Sequence, residues 1–366
     1  MAAALDVAGN PSSVHAEGRK ARAIVETARE QVAALVGARP SEVVFTSGAT
    51  EANAMILAGR PWGGFACSGL EHPSILAAEP TAVRGALLIA ASPDGRSAIA
   101  DDLGPMLEEA LDEAPGERCH LPAPLLVSHQ AVNGETGVIH DVRRLVEMCR
   151  RHRPDAVVHT DAVQAAGRLP LDFRALGVDA MTLSSHKLGG PKGAGALIVR
   201  DGLALAPLVR GGGQEAGRRA GTENVAAIAG FGAAASAAKR DLAAAAAQMA
   251  LLRDRLEAGV LAVTPDAVIV GGSAERVGNT SCIAVPGRTS DMLVIALDLA
   301  GIAVSAGSAC ASGKVAASPT LAAMGLDPAL QRAAIRVSLG WTTTDTDIAA
   351  FLAAWTSIAA SRRAAA

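Results

Sequence analysis

The chain has 366 residues, of which 50% are apolar and 19% are charged, and its formal net charge is −3. This composition is typical of a globular protein with a large core. The nearly balanced charge and the absence of tyrosine disfavour a nucleic-acid-binding surface. No signal peptide is expected, and no apolar run reaches the roughly 18 residues of a membrane helix. The composition therefore predicts a protein that contacts neither nucleic acid nor membrane directly.

The cysteines are five in number and widely spaced, without a C-x-x-C pair. Neither a disulfide framework nor a zinc site is favoured by this pattern, and no metal is predicted. Cysteines without a pairing pattern are typical of a reducing compartment, so we predict a cytoplasmic protein. The five are Cys67, Cys119, Cys149, Cys282 and Cys310.

Short apolar segments alternate with helical patterns along the first two thirds of the chain. Ser12 or Ser13 is predicted to cap a helix that continues to about Val36, where Gly37 ends it. Such alternation predicts a mostly parallel sheet with helices on both faces and ligands beyond the carboxyl ends of its strands. Strands are predicted at 42–45, 64–67, 124–128, 156–160, 180–184 and 196–200, and helices at 51–59 and 141–152.

The pattern changes at about residue 236, where a long alanine-rich helix begins. Behind it come predicted strands in AVIVGG, NTSCIAV, GIAVS and AIRVSLG, and a helix in SDMLVIALDLA. We therefore predict a large domain over residues 1–235 and a smaller α/β domain over residues 236–366.

Two predicted turns carry candidate binding residues. The turn FTSGATEAN places Gly48, Ala49 and Thr50 at a helix N-terminus, whose free N–H groups and dipole suit a phosphate. His72 follows a predicted strand in EHPSI. Taken alone, the two features are more often an ordinary capping turn and a structural histidine.

Asp161 and Lys187 complete a pattern that one cofactor requires. Asp161 comes directly after a predicted strand, with Gln164 three residues on, and Lys187 lies between a strand and a glycine-rich turn. Pyridoxal phosphate needs a Schiff-base lysine, an acidic partner for its ring nitrogen and a phosphate cradle. Spacing alone does not decide between Lys187 and Lys192, in GPKG, as the Schiff-base lysine.

Nine segments in order give the chain a family resemblance. They are GNPSSVHAEGR, VVFTSGATEAN, EHPSI, NGETGVI, HTDAVQAAG, SSHKLGGPKGAGALIVR, GGGQEAGRRAGTEN, VSAGSACASG and IRVSLG. In this order they resemble the cysteine desulfurases, which are fold-type I pyridoxal phosphate enzymes of the class V aminotransferase group. The matches span residues 9 to 340. The resemblance implies an α/β fold with a large cofactor-binding domain and pyridoxal 5'-phosphate as cofactor.

The resemblance also implies a role for each matching residue. Lys187, rather than Lys192, would bind the cofactor covalently, His72 would stack on its ring and move protons, and Asp161 would pair with its ring nitrogen. Asn133 and Arg336 would bind the substrate, since a guanidinium fork matches a carboxylate. The remaining implied cofactor contacts come from Ala49, Thr50, Asn133, Gln164, Ser184 and His186, and from Thr222 across a homodimer interface.

Cys310 differs from the other cysteines because small residues surround it in SAGSACASGK, as expected of a mobile loop. The resemblance implies that Cys310 accepts the substrate's sulfur as a persulfide. The other four cysteines are predicted to be buried apolar residues. The GSAC form resembles the subgroup that supplies sulfur to an iron–sulfur scaffold or a tRNA-thiolation relay, so the implied partners are L-cysteine, a second copy of the chain and a sulfur-acceptor protein.

Two departures from the family pattern bear on the activity. Members usually open with a segment similar to YLDNNATTP ahead of GNPSS, and here we expect its lack to affect substrate handling rather than cofactor binding. The family's NNETG is NGETG, with Gly134 after Asn133.

Three alternatives stay open. A selenocysteine lyase or small-amino-acid transaminase would keep Lys187 and Asp161 without needing Cys310. A sulfur-trafficking partner without activity is a second possibility, if the N-terminal departure impairs the site. A nucleotide-binding protein is the third, although no G-x-G-x-x-G follows the first strand.

Overall fold

The computed structural model describes residues 1–77, 86–97, 104, 124–307 and 318–365. These residues belong to two compact units. The sequence placed a domain boundary after residue 235, and that boundary stays a prediction. The first unit draws on Met1–Ile89, Ile99–Ala131 and Asp141–Leu242, and the second on Ala90–Ala98, Val132–His140 and Ala243–Ala366.

The described part of the first unit contains a seven-stranded sheet in the order β1-β7-β6-β5-β4-β2-β3. The pairs β3–β2, β2–β4, β4–β5 and β5–β6 are parallel, whereas β7 is antiparallel to both β1 and β6. The mostly parallel sheet of the sequence prediction is therefore confirmed. The strands are β1 (Val43–Thr46), β2 (Gly64–Ser68), β3 (Ala86–Ile89), β4 (Leu125–Ser128), β5 (Val157–Asp161), β6 (Ala180–Ser184) and β7 (Gly195–Val199).

These strands form where the sequence has short, nearly continuous apolar runs, which is the pattern of strands buried on both faces. The observed bounds lie within one residue of the six predicted strands, and the prediction missed β3. Every residue of β2, β5, β6 and β7 is buried. A fully buried Leu or Ile contributes about 1.5–3 kcal/mol, so the sheet is a rigid support for the loops at its edge.

Helices of the first unit pack on this sheet: α2 on β1, α3 on β6 and β7, and α5 on β5. The predicted helix over 141–152 is confirmed as α5, and the long helix α7 begins before the predicted residue 236. The helices are α1 (Ala2–Leu5), α2 (Ala16–Leu35), α3 (Ala49–Ala58), α4 (Pro73–Leu76), α5 (Val142–His152), α6 (Phe173–Leu176) and α7 (Val225–Val263), which continues into the second unit.

The predicted cap of α2 was wrong. His15, not Ser12 or Ser13, caps the helix, and its Nδ1 accepts from the Gly18 N–H at 3.2 Å. Ser12 is held in the preceding turn, where its N–H donates to the side chain of Asn10 at 2.9 Å. Asn competes well for local N–H groups in turns, so the helix starts later.

The described part of the second unit has a four-stranded antiparallel sheet in the order β10-β11-β9-β8. Its core includes Leu256, Ile283, Leu297, Ile335 and Trp355. The elements are β8 (Val268–Val270), β9 (Thr280–Ala284), α8 (Ser290–Leu299), β10 (Ser305–Ala306), α9 (Pro319–Ala323), α10 (Pro328–Ala333), β11 (Ala334–Ser338) and α11 (Asp345–Ala365).

The strand predicted in GIAVS is mostly absent from the described second unit, since β10 covers only Ser305–Ala306. The residues ahead of β10 end helix α8 instead. Gly301 has φ 79°, and Ile302 donates its N–H back to the Leu297 carbonyl at 2.9 Å. This left-handed glycine stop satisfies carbonyls of the last helical turn and directs the N–H groups of Gly301 and Ile302 back to the helix, away from strand pairing.

Candidate active site

The carboxyl ends of several strands meet at one edge of the first unit's sheet. Strand β1 runs parallel to β6, because both are antiparallel to β7. Thr46 at the end of β1 and Ser184 at the end of β6 are each in register with Gly195. The turns that follow β1 and β6 therefore leave the sheet at the same level, which is the edge where α/β sheets bind ligands.

The turn after β1 presents the start of helix α3. Gly48 is the N-cap, so Ala49 and Thr50 form the first turn. A Cβ placed on Gly195 would lie 2.7 Å from the Gly48 backbone, whereas a Cβ on Gly48 would meet nothing within 4 Å among the described residues. The turn is thus held closely on one side and open on the other. Its N–H groups and the helix dipole favour an anion such as a phosphate.

Asp161 lies at the end of β5 and is only 7% exposed. Its Oδ1 accepts from the Val163 N–H at 3.0 Å, and its Oδ2 accepts from the side-chain amide of Asn53 at 3.0 Å. Each carboxylate oxygen therefore has a fixed donor, and the plane of the group is set by two elements of the fold.

His72 is the N-cap of the short helix α4. Its Nδ1 lies 3.1 Å from the Ser74 backbone nitrogen and 2.7 Å from the Ser74 hydroxyl. Burial lowers the pKa of His72, an effect that the Asp161 charge opposes and the Lys187 charge reinforces. These two influences mean that His72, Asp161 and Lys187 lie close enough to act on one another electrostatically.

Lys187 occupies a single helical turn, Ser185–Leu188, directly after β6. Its side chain is half-buried, whereas Lys192 in the next turn is exposed. The Lys187 carbonyl accepts from Arg168 at 2.9 Å, which fixes the turn to the loop after β5. Of the two candidate lysines, Lys187 is the one whose charge lowers the pKa of His72.

Ser184 and His186 flank this turn, and the Ser184 Oγ lies 2.9 Å from the His186 Nδ1. Ser184 is buried and His186 is exposed. Partial desolvation by neighbouring atoms lowers the pKa of His186 although its side chain is exposed, and the charges of Lys187 and Lys192 lower it further. A neutral imidazole next to a hydroxyl supplies hydrogen-bond donors to an anion without a fixed charge.

Gln164 and Thr222 are placed less tightly than the other predicted residues of this unit. Gln164 lies in the turn after β5, and its carbonyl accepts from Arg168 at 2.8 Å. Thr222 is exposed and lines a cavity of about 230 Å³ together with Thr46, Gly193 and Arg219.

Asn133 and Arg336 belong to the second unit. Arg336 donates through Nη1 to the Gly134 carbonyl at 3.0 Å, so its side chain reaches the residue after Asn133. The Asn133 Oδ1 accepts from the N–H groups of Glu135 and Thr136, both at 2.9 Å. The Arg336 Nε is buried and has no hydrogen-bond partner among the described residues. A buried guanidinium N–H of this kind can bind a carboxylate.

The described cysteines are buried, as predicted. Burial raises the pKa of the Cys67 and Cys282 thiols to about 12 and that of Cys149 to about 11. None of these three is thus prepared to form a thiolate near neutral pH. Cys310 and Cys119 lie outside the described residues.

The sequence interpretation missed three residues near Asp161, which are Asn53, Ser74 and Glu71. Asn53 links Asp161 to Ser74, whose hydroxyl accepts from the Asn53 amide at 2.9 Å. The Glu71 Oε1 accepts from the Gln130 N–H at 2.5 Å. Burial raises the pKa of Glu71 well above its ordinary value, the Asp161 charge raises it further, and the Gln130 N–H opposes the change. Asn53 and Glu71 stand inside motifs that the sequence did mark, FTSGATEAN and EHPSI, but a motif does not disclose their contacts.

Together these residues fit pyridoxal phosphate. The donor set has the required chemistry, with a half-buried lysine, a buried carboxylate and a helix N-terminus where a Cβ on Gly48 would meet no described residue within 4 Å. The carboxylate of Asp161 and the amine of Lys187 each lie near enough to His72 to shift its pKa, in opposite directions.

Comparisons with known proteins agree with this geometry. The profile of the aminotransferase class-V family matches residues 2–351. A cysteine desulfurase of Cereibacter sphaeroides is 40% identical over 346 residues, covering 92% of this chain and 84% of that protein. An IscS-like cysteine desulfurase of Mycobacterium tuberculosis is 37% identical, and the match covers 100% of this chain and 93% of that protein. The X-ray structure of a NifS-like protein from Rickettsia africae superposes with a TM-score of 0.86 at 33% identity, over 98% of this chain and 93% of that one.

The chain belongs to the aminotransferase class-V family and, within it, to the cysteine desulfurases. This family consists of pyridoxal phosphate-dependent enzymes with the fold-type I architecture, as the sequence resemblance implied. Among the described residues, no helix has the length and apolar character needed to cross a bilayer.

Proposed function

We propose that the chain converts L-cysteine to L-alanine and that Cys310 receives the sulfur. The observation that carries this proposal is the grouping of His72, Asp161 and Lys187 at the carboxyl edge of the first unit's sheet, beside the N-terminus of α3. Its net reaction balances: the S–S bond of the Cys310 persulfide forms, the Cβ–S bond of the substrate breaks, and the remaining three-carbon fragment takes up a proton to become alanine.

Residues of the first unit would hold the cofactor. Lys187 would attach to it covalently, Asp161 would face its ring nitrogen, and His72 would stack on its ring. When bound, pyridoxal phosphate withdraws electrons from the Cα of an attached amino acid. The helix N-terminus at Ala49 and Thr50 would bind the phosphate, with Gln164, Ser184 and His186 as further contacts.

Proton transfer in this proposal belongs to Lys187 and His72. A half-buried amine next to a neutral imidazole can take up the Cα proton and return one to the product. Burial keeps the pKa of His72 low, so the ring is neutral near pH 7 and carries one proton that it can donate. Asp161 is held by its two hydrogen bonds, so its carboxylate would keep one orientation toward the ring nitrogen of the cofactor.

Asn133 and Arg336 would bind the substrate. The Arg336 Nε has a buried N–H without a partner in the described part of the chain, and a carboxylate would satisfy it. The Gly134 carbonyl orients the guanidinium through Nη1.

The proposal includes a homodimer, in which Thr222 of each copy reaches the neighbour's phosphate, and a sulfur-acceptor protein such as an iron–sulfur scaffold or a tRNA-thiolation relay. Thr222 is exposed and lines a cavity, which supports the homodimer part of the proposal. Free, buried cysteines are usual in a reducing compartment, which supports a location in the cytoplasm.

A paired assay tests the function. Purified protein with pyridoxal phosphate is supplied with L-cysteine and a thiol reductant, and alanine and sulfide are measured. We expect equal amounts of the two products, and we expect Cys310→Ala to lose at least 10²-fold of the rate, as is usual when a nucleophile is removed. Cys67→Ala is the matched control and should retain the rate. Activity that survives in Cys310→Ala, or a persulfide found on Cys282, would contradict the proposal.

A further inference from the structure

Asn53 is fully buried on helix α3 and connects two of the proposed site residues. Its Nδ2 donates one hydrogen to the Asp161 Oδ2 at 3.0 Å and one to the Ser74 Oγ at 2.9 Å. Both hydrogens of this amide are therefore used. Its Oδ1 has no partner among the described residues, so the side chain is held in place by what it donates rather than by what it accepts.

The direction of the hydrogen bonds then follows along the chain of contacts. The Ser74 backbone nitrogen is always a donor, so the His72 Nδ1 that it contacts must be an acceptor without a proton. The Ser74 Oγ accepts from Asn53, which leaves the hydroxyl proton free to point at the same His72 Nδ1, 2.7 Å away. The proton of neutral His72 is thereby placed on Nε2.

We propose that Asn53 is a positioning residue that ties the Asp161 carboxylate and the His72 ring into one hydrogen-bonded unit. Its amide fixes the carboxylate plane directly and fixes the imidazole through the Ser74 hydroxyl. This inference rests on the proposed function, because it assigns Asn53 to the alignment of the two groups that would contact the cofactor ring.

Such a link matters because Asp161 and His72 come from different elements, β5 and the N-terminus of α4. Among the described residues, the backbone bond to each side chain comes from its own element, the Val163 N–H to Asp161 and the Ser74 N–H to His72. One amide on a third element, α3, sets both at once, and a buried charged acceptor gains more from a fixed donor than a neutral one does.

The first arm of the test needs no cofactor. The protein is labelled with ¹⁵N-histidine, and the His72 ring signals are assigned by their loss in His72→Gln. In the wild type we expect Nε2 to carry the proton and Nδ1 to be the acceptor. Asn53→Leu and Ser74→Ala should each raise the pH midpoint of His72 by roughly half a unit, since each weakens a bond to the neutral ring. Asp161 and Lys187 are the charges that act on this ring, and both are unchanged in these variants.

The second arm uses the protein loaded with pyridoxal phosphate and measures the dissociation constant of the cofactor and the pH dependence of its absorbance. Asn53→Leu removes the buried donor to Asp161 and should weaken binding by roughly tenfold or more and shift the absorbance titration. Ser74→Ala leaves the Asn53–Asp161 bond in place and should change both quantities by less than about twofold. Ser74→Thr keeps the hydroxyl and should match the wild type in both arms.

The pattern across the variants decides the inference. Asn53→Leu should affect both arms, Ser74→Ala only the His72 arm, and Ser74→Thr neither. Wild-type behaviour of Asn53→Leu in both arms would overturn it, as would a His72 proton on Nδ1. If Asn53→Leu does not fold, Ser74→Ala still decides, because an unchanged His72 midpoint there would overturn the link. Failure of the wild-type protein to bind the cofactor would refute the proposed function, and the His72 arm alone would then decide the link.

Discussion

Arg29 and Glu215 form a two-pronged ion pair within the first unit, with Nη1 to Oε2 and Nη2 to Oε1 both at 2.8 Å. Both residues are buried, at 7% and 5% exposure. The Glu215 Oε2 also accepts from the Phe45 N–H at 2.8 Å, so this carboxylate joins α2 and β1 to the loop that leads to Thr222. The pair therefore holds the loop against the strand that precedes the Gly48 turn.

We expect Arg29→Met to destabilise the first unit by about 3–5 kcal/mol, because it leaves the buried Glu215 charge without its partner. Arg39→Met is the matched control, since the Arg39–Asp201 pair has the same chemistry on the surface, with a separation of 2.7 Å. Loss of the Arg39–Asp201 pair should lower the free energy of unfolding by about 0–1 kcal/mol. Denaturant unfolding curves of the two variants measure the difference. Equal, small effects would show that the buried pair contributes little.

Ala216 has a left-handed backbone, with φ 56°, next to Glu215 at φ 48°. A residue with a Cβ costs about 1–2 kcal/mol in this region, whereas glycine adopts it freely but loses more entropy on folding. We expect Ala216→Gly to raise the unfolding free energy by about 0.5 kcal/mol. Ala233→Gly, at an exposed position in the interior of helix α7, is the control and should lower it by about 1 kcal/mol. A loss of stability in Ala216→Gly would mean that the strain is not present in solution.

The raised pKa of Glu71 makes stability depend on pH in a defined direction. Burial keeps the carboxyl protonated in the folded chain at pH values where the unfolded chain has lost that proton. The unfolded state then binds fewer protons, so this contribution is full below the ordinary pKa of a glutamate and is lost as pH rises through the folded pKa. Glu71→Gln mimics the protonated carboxyl at every pH, so the variant should not lose this contribution to stability as pH rises.

We therefore expect the difference in melting temperature between Glu71→Gln and the wild type to shift in favour of the variant as pH rises from about 5 to 8. Glu17→Gln is the control for charge removal, because Glu17 is exposed on α2 and its effect should be small. Melting curves of the three proteins across pH provide the measurement. A constant offset between Glu71→Gln and the wild type would argue that Glu71 is ionised in the fold.

Lys187 rather than Lys192 should carry the cofactor. Lys187 is half-buried near His72, and Lys192 is exposed. After incubation with pyridoxal phosphate, borohydride reduction and peptide mapping should find the cofactor on Lys187. Lys192→Ala should keep the yellow absorbance and Lys187→Ala should lose it. Label on Lys192 would overturn the assignment.

Thr222→Ala should weaken cofactor retention without altering the unfolding curve, if Thr222 reaches a neighbour's phosphate. Loss of one hydrogen bond to a charged group weakens binding by roughly tenfold. Thr342→Ala, another exposed threonine, is the control and should behave as the wild type. The cofactor dissociation constant and light scattering are measured together. A monomer that binds the cofactor with full affinity would contradict the shared site.

Much of the fold was accessible from local sequence. Apolar runs gave six strands of the first sheet within one residue, and the place of Asp161 and Lys187 at strand ends followed from those runs. The prediction failed where two local signals competed. The Asn10 side chain holds Ser12 in a turn, so neither predicted serine caps α2. The helix stop at Gly301 occupies most of the strand predicted in GIAVS, of which only Ser305 lies in β10.

The sequence by itself determined the α/β class and the family, and it indicated which residues to propose for the site, because periodicity, turn residues and ordered motifs are properties of neighbours along the chain. Only the tertiary structure decided which strands adjoin, that β7 lies between β1 and β6, and that Asn53 joins Asp161 to Ser74. The physical reason is range. A hydrogen bond between residues 108 positions apart depends on strand register and helix packing, and these are set by the burial of the whole core rather than by any local pattern.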